Sequence, residues 1–352
     1  MTRHMFAGAS TPIGFINFFD HIMPIETAKK RYFLKGSSGS GKSTFLKKIA
    51  AEFESAGFHT EQFHCANDAD SLDAVSVGSQ GLCIIDATAP HARDPEIPIA
   101  VDKMIDFSKF IDEKKILSHV DEIKSLLRSK RLLQEKASGY FSAVGSVYLA
   151  EKAALETAMI KHASKKLARE CMNLIGARNM TNYEGADRKL FLSAVTPDGY
   201  VSFAEDLSIG CKVYGICARA GAGADIFLGE LRDQANAHGI QTESFYCPFA
   251  PDRLEYLHLP EMETIFAVTD GHFGYNGKTD EIIELGTGTG TSNLSPRART
   301  CVFDGLLEST VNLMNASRTL HMRIEDIYVN TIDFKKINKL TEKIMRELIV
   351  SH

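Results

Sequence analysis

The stretch "GSSGSGKSTF", residues 36–45, decides how the first half of this chain folds. The short apolar run Tyr32–Leu34 precedes it, and Phe45, Leu46, Ile49 and Phe53 follow at helical spacing until Gly57 ends the pattern. The order is therefore strand, loop, helix. Gly36, Ser37, Ser38, Gly39, Ser40, Gly41, Lys42 and Ser43 satisfy G-x-x-x-x-G-K-[ST], with Thr44 next in line. Glycines let backbone N–H groups turn inward around phosphate oxygens, and the helix N-terminus adds partial positive charge. Lys42 would reach the terminal phosphates of a nucleotide, and the Ser43 hydroxyl would ligate Mg²⁺.

A second signature follows in "GLCIIDATAPH", residues 81–91. Asp86 closes an apolar strand and would hold Mg²⁺ through water. The residue after it is alanine, where vigorous ATPases often carry the glutamate that activates water. Thr88 and His91 are the next polar groups able to face a γ-phosphate. His91 has two readings, a catalytic or phosphate-sensing group and a structural one. Lys42, Asp86 and His91 are the candidate catalytic residues.

The chain is written twice. Without a gap, and at an offset of 182 residues, "GSSGSGKSTFLKKIAAEFESAGFHTEQFHCANDADSLD" from Gly36 aligns with "ARAGAGADIFLGELRDQANAHGIQTESFYCPFAPDRLE" from Ala218. Gly39 meets Gly221, Gly41 meets Gly223, Phe45-Leu46 meets Phe227-Leu228, and Cys65 meets Cys247. Upstream, Phe6 meets Phe191 and Thr11-Pro12 meets Thr196-Pro197. Downstream, "DATAPH" lines up with "AVTDGH", which places Ala267 opposite Asp86 and His272 opposite His91. A colinear series of this length points to a tandem duplication. The polar, Gly/Asn-rich stretch around 176–188 marks the boundary, giving units 1–183 and 184–352.

The second loop is degenerate. Ala224 stands at the lysine position and Asp225 at the Mg²⁺ serine, so a carboxylate would oppose phosphate there. "GTGTGTS", residues 286–292, has no lysine and reads as a loop.

"GSSGSGKST" resembles the P-loop NTPase superfamily. The duplicated layout, with "FHC" after the first helix and "IIDATAPH" after the next strand, resembles a group of tandem P-loop ATPases of bacteria. The resemblance covers nearly the whole chain. It implies an α/β fold of two P-loop NTPase-like domains, each a mostly parallel sheet flanked by helices. It also implies ATP and Mg²⁺ as ligands.

Composition bounds the rest. The chain has 352 residues with 44% hydrophobic content, enough for two ordinary cores. A net charge of -5 argues against a surface built for nucleic acid. No apolar run is long enough for a membrane span. Seven scattered cysteines without a Cys-x-x-Cys pair read as reduced thiols of a cytoplasmic protein. A metal site on His64 and Cys65 would need further ligands, and packing is the simpler role for Cys65.

Several charged groups lie where ligands bind in open α/β sheets. Arg93 and Asp94 follow the Asp86 strand, and Asp68, Asp70 and Asp73 follow His64. Arg128, Lys130 and Arg131 read as a solvated helix face, or as a clamp for a substrate phosphate. Arg219 and Arg253 are candidates to complete the other half's site. Ile337, Leu340, Ile344 and Leu348 make an amphipathic C-terminal helix expected to pack on its own half. Three functions fit this pattern: an ATPase with the second half as an inactive partner, a kinase acting on a small-molecule acceptor, and an ATP-gated scaffold for a protein partner.

Overall fold

Short β-rich runs separated by glycine and proline turns build, among the described residues, two six-stranded sheets and two two-stranded ones, and each pair has the same strand layout. The computed structural model describes residues 2–153, 158–174, 184–218, 223–269, 273–285 and 296–350. The first half runs β1 (Arg3–Met5), β2 (Gly8–Thr11), β3 (Gly14–Asn17), β4 (Lys30–Lys35), α1 (Lys42–Ser55), β5 (Glu61–Cys65), β6 (Asp68–Val77), β7 (Leu82–Asp86) and β8 (Asp102–Asp106). Helices α2 (Glu113–Leu117), α3 (Val120–Ala153) and α4 (Ala158–Leu174) follow. The second half runs β9 (Asp187–Leu190), β10 (Ser193–Thr196), β11 (Gly199–Ser202), α5 (Ala204–Ser208), β12 (Lys212–Ala218), α6 (Ala224–Ala237), β13 (Thr242–Cys247), β14 (Ala250–Leu259), β15 (Thr264–Val268) and β16 (Glu281–Leu285). It ends in α7 (Pro296–Val329) and α8 (Phe334–Val350).

The sheet orders are β1-β5-β6-β7-β4-β8 and β9-β13-β14-β15-β12-β16. In each, the third strand, β6 or β14, runs against the other five. Even the irregularities repeat: the β5–β6 ladder slips at His64 and the β13–β14 ladder slips at Tyr246. The expected α/β class, with mostly parallel sheets flanked by helices, is what the chain adopts.

Strand register moves one pairing. Leu34 lies opposite Asp86, and Ile216 lies opposite Val268. Val268 therefore stands where Asp86 stands in the first half, not Ala267. Thr269, whose N–H donates to Ile216 O, matches Ala87, whose N–H donates to Leu34 O. The aspartate is absent from the second half in either alignment.

The halves meet at their β1 and β9 edges. Phe6 N donates to Phe191 O at 2.9 Å and Phe191 N donates to Phe6 O at 3.0 Å, so the residues paired by sequence also pair in space. Beside this bridge, Arg3 and Arg188 each contact both Glu61 and Glu243; Arg188 lies 2.7 Å from Glu61 and 3.0 Å from Glu243. Burial would raise the Glu243 carboxyl, but Arg3, His258 and Arg188 together hold it well below its ordinary range.

The helices are exchanged. Ala168, Cys171 and Met172 of α4 share a core with Phe227, Leu228 and Leu231 of α6 in the second half. Ile337, Ile344 and Leu348 of α8 share a core with Tyr32, Leu34, Phe45 and Phe53 of the first half. The C-terminal helix thus packs across the molecule, not on its own half as its amphipathic pattern suggested. The reason is symmetry: α8 follows α7 as α4 follows α3, and both 34-residue helices, α3 and α7, run along each other and carry their successors across. Each buried α8 side chain contributes about 1.5–3 kcal/mol to the first half's core.

This exchange predicts the behaviour of fragments. Residues 1–183 expressed alone should show no cooperative thermal transition by circular dichroism, because Phe45 and Phe53 lose their α8 cover. Co-expression with residues 184–352 should restore it. A cooperative transition for 1–183 alone would contradict the exchange.

Candidate functional site

β4 lies inside its sheet, between β7 and the edge strand β8, and the chain leaves its carboxyl end as the Gly36–Gly41 loop. Gly41 caps α1 with φ +85°, and Gly39 sits at φ +69°; side chains rarely adopt either. The loop is tight, since a Cβ on Gly36 would stand 2.7 Å from Ser40 Oγ and 3.0 Å from Phe107 Cβ. Thr44 lies exposed on the first turn of α1.

Lys42 is buried, and its ammonium folds back into the loop. It donates to Gly36 O at 3.1 Å and Ser37 O at 2.8 Å, and it stands 3.7 Å from Asp86 Oδ2. Asp86 Oδ1 accepts from Thr88 N at 3.0 Å and Thr88 Oγ1 at 2.6 Å. Ser43 Oγ accepts from Leu72 N at 3.0 Å. The fold thus brings together Lys42, from the head of α1, and Asp86, from the end of β7. His91 is also buried here, stacked on Phe19 with centroids 4.5 Å apart. Both its ring nitrogens, and Ser37 Oγ in the loop, are buried without a hydrogen-bond partner. Burial holds His91 below its ordinary pKa, against the pull of Asp86. Buried polar atoms left open beside a glycine loop are what a polar ligand would satisfy.

Among the described residues no cluster of three or more His, Cys, Asp or Glu side chains could hold a metal ion by itself. A cation at Ser43 would need ligand oxygens and water, as Mg²⁺ does on phosphates.

Two further neighbours bear on the site. Asp73 on β6 lies one position beyond the Ala74–Ile85 pair, which sets it against Asp86 across the strands. Burial first, and Asp86 second, raise its pKa to about 8, so it is largely protonated at neutral pH. Burial also pushes the adjoining Cys65 thiol well up, in keeping with a packing role.

The other neighbour is α7, from the second half. Gly39 N donates to Glu325 Oε1 at 3.2 Å. A Cβ on Gly39 would meet Glu325 O at 3.0 Å and Val329 Cγ2 at 3.1 Å, so the helix lies directly on the loop. Lys130 Nζ, on α3, stands 2.9 Å from His321 Nδ1, and His321 Nε2 stands 3.3 Å from Ser38 Oγ. A lysine ammonium only donates, so Nδ1 accepts and Nε2 carries the proton toward Ser38. Burial, with Lys130 adding to it, pushes the His321 pKa down to about 4. Arg128 and Arg131 are exposed, and Arg131 pairs with Glu135 at 3.0 Å, so only Lys130 of that trio faces the loop. Arg93 pairs with Asp20.

The second half's counterpart of the Ser43 position carries an ion pair. Asp225 at the head of α6 pairs with Arg253 Nη1 at 3.1 Å. Arg253 therefore has a partner within its own half, at the head of α6. A cation brought from β14 balances the carboxylate where the first half has a serine hydroxyl. Arg219, Gly221, His272 and the 286–292 stretch lie outside the described residues. No helix among the described residues is long and apolar enough to cross a membrane. Comparison with protein-family models, with curated proteins and with solved structures found no match for this chain.

The Asp73 environment makes a stability prediction. In the unfolded chain this carboxyl titrates near ~4; in the folded chain it titrates at about 8. The folded protein holds a proton that the unfolded chain has lost between those values, so the Asp73 contribution fades as pH rises. Asp73→Asn should match the parent below about pH 4, gain relative stability as pH rises to about 8, and hold that gain above it. Urea unfolding across this range reads the difference, and a constant difference would contradict the assignment.

Proposed function

We propose that the first half binds Mg-ATP and hydrolyses it slowly, with the second half as an inactive partner. The observation that carries this reading is the juxtaposition of Lys42, the Gly36–Gly41 loop at the head of α1, and Asp86 at the neighbouring strand's end. Backbone N–H groups of the loop would cradle the phosphates, and Lys42 would leave its two carbonyls to neutralise the terminal ones. Its present contacts are weak substitutes, since a charge-assisted bond to phosphate is stronger than one to a neutral carbonyl. Ser43, with Asp86 through water, would hold Mg²⁺, which supplies charge neutralisation when bound. The Ser37 and His91 atoms without partners favour a polar ligand at this place. Asp225 paired with Arg253 supports an inactive second loop, because this ion pair stands where the first half has the Ser43 hydroxyl.

Transfer to an acceptor instead of water is the second reading. It rests on the alanine after Asp86, which leaves no carboxylate there to activate water. One assay separates the two. Phosphate released from ATP by the protein alone supports hydrolysis; ADP formed only with an added acceptor supports transfer. Lys42→Ala should weaken ATP binding about ten- to hundredfold by removing the charged contact, with turnover lost in parallel. Unchanged binding in Lys42→Ala would sink both readings.

A further inference from the structure

We propose that Glu325, carried by α7 of the second half, stands in for a phosphate oxygen in the Gly36–Gly41 loop, so that a nucleotide must displace it and the second half thereby registers occupancy. This rests on the nucleotide reading of the loop. The Gly39 N–H donates to Glu325 Oε1 at 3.2 Å across 286 residues of chain. A carboxylate at a backbone N–H of such a loop fills the role an anionic ligand would fill. The carboxylate is half-buried, beside a loop whose Lys42 is turned inward onto carbonyls. It therefore competes for the donor a phosphate needs, and it adds a negative charge that opposes one.

The displacement has a defined path. α7 as a whole is held in place: it runs along α3, and α8 behind it is locked in the first half's core. The Gly39 backbone touches α7 itself, so what can leave is the Glu325 side chain, with a small shift of the turn around it. The carboxylate also stands 3.7 Å from His321 Nε2. Lys130, linked to the loop through His321 and Ser38, remains as a positive group beside the incoming phosphates. Protonated Glu325 would compete less well, and burial does raise its pKa.

The test uses the full chain and fluorescent mant-ATP with Mg²⁺, read by anisotropy. Glu325→Ala and the isosteric, uncharged Glu325→Gln should each bind about five- to thirtyfold tighter than the parent. The protein has no tryptophan, so Met322→Trp, on an exposed turn of α7, gives a clean reporter. Its emission should change when ATP is added, and that change should vanish when Glu325→Ala is combined with it. Binding by the parent with no gain in either Glu325 variant overturns this inference alone. No binding by parent or variants overturns the nucleotide reading and this inference with it.

Discussion

The contact that the rest of the molecule depends on is the joining of two short edge strands, β1 and β9. β1 and β9 are edge strands of three and four residues, and just beyond them the Phe6–Phe191 bridge ties one edge to the other. The Phe6–Phe191 bridge sets the register, and Arg3, Arg188, Glu61 and Glu243 neutralise one another beside it. Breaking one member of such a buried cluster leaves an uncompensated charge, at a cost of about 3–5 kcal/mol. Because duplicated elements meet at this point, each half presents the same surfaces to the other. The long helices α3 and α7 then lie side by side, and α4 and α8 reach the opposite half.

That geometry explains why the two glycine loops differ. In the first half, α7 brings Glu325 and His321 onto Gly39 and Ser38. In the second, Arg253 on β14 holds Asp225 at the head of α6. The repeat makes two equivalent places, and Lys42, Ser43 and Asp86 stand in only one of them.

Much of this was legible in the sequence, and the rest was hidden for physical reasons. The Gly36–Ser43 loop, the Asp86 strand and the 182-residue repeat could be read because glycine spacing, an apolar run ending in a charge and colinear identities are local signals. β6 was not, because "DADSLDAVSV" opens with three acidic residues in six and lacks a clean alternation. The Val268 position was missed by one residue, although the 182-residue offset carried on from Leu72 reaches it and the ladder register agrees. The destination of α8 was out of reach, because an amphipathic stripe announces burial without naming the partner. Glu325 and His321 belong to a surface-like helical pattern, and only the approach of α7 to Gly39 gives them a role. A signal for Arg253 did exist: an arginine appears in the repeat where the first half has Ser71, in the same unit in which serine becomes Asp225.

The central claim is that the duplicated chain holds one nucleotide site, in its first half, with the second half as its cover. Calorimetric titration of the full-length protein with Mg-ATP tests this most directly. The account predicts saturation at one nucleotide per chain; saturation at two per chain, or one that survives in Lys42→Ala, would contradict it.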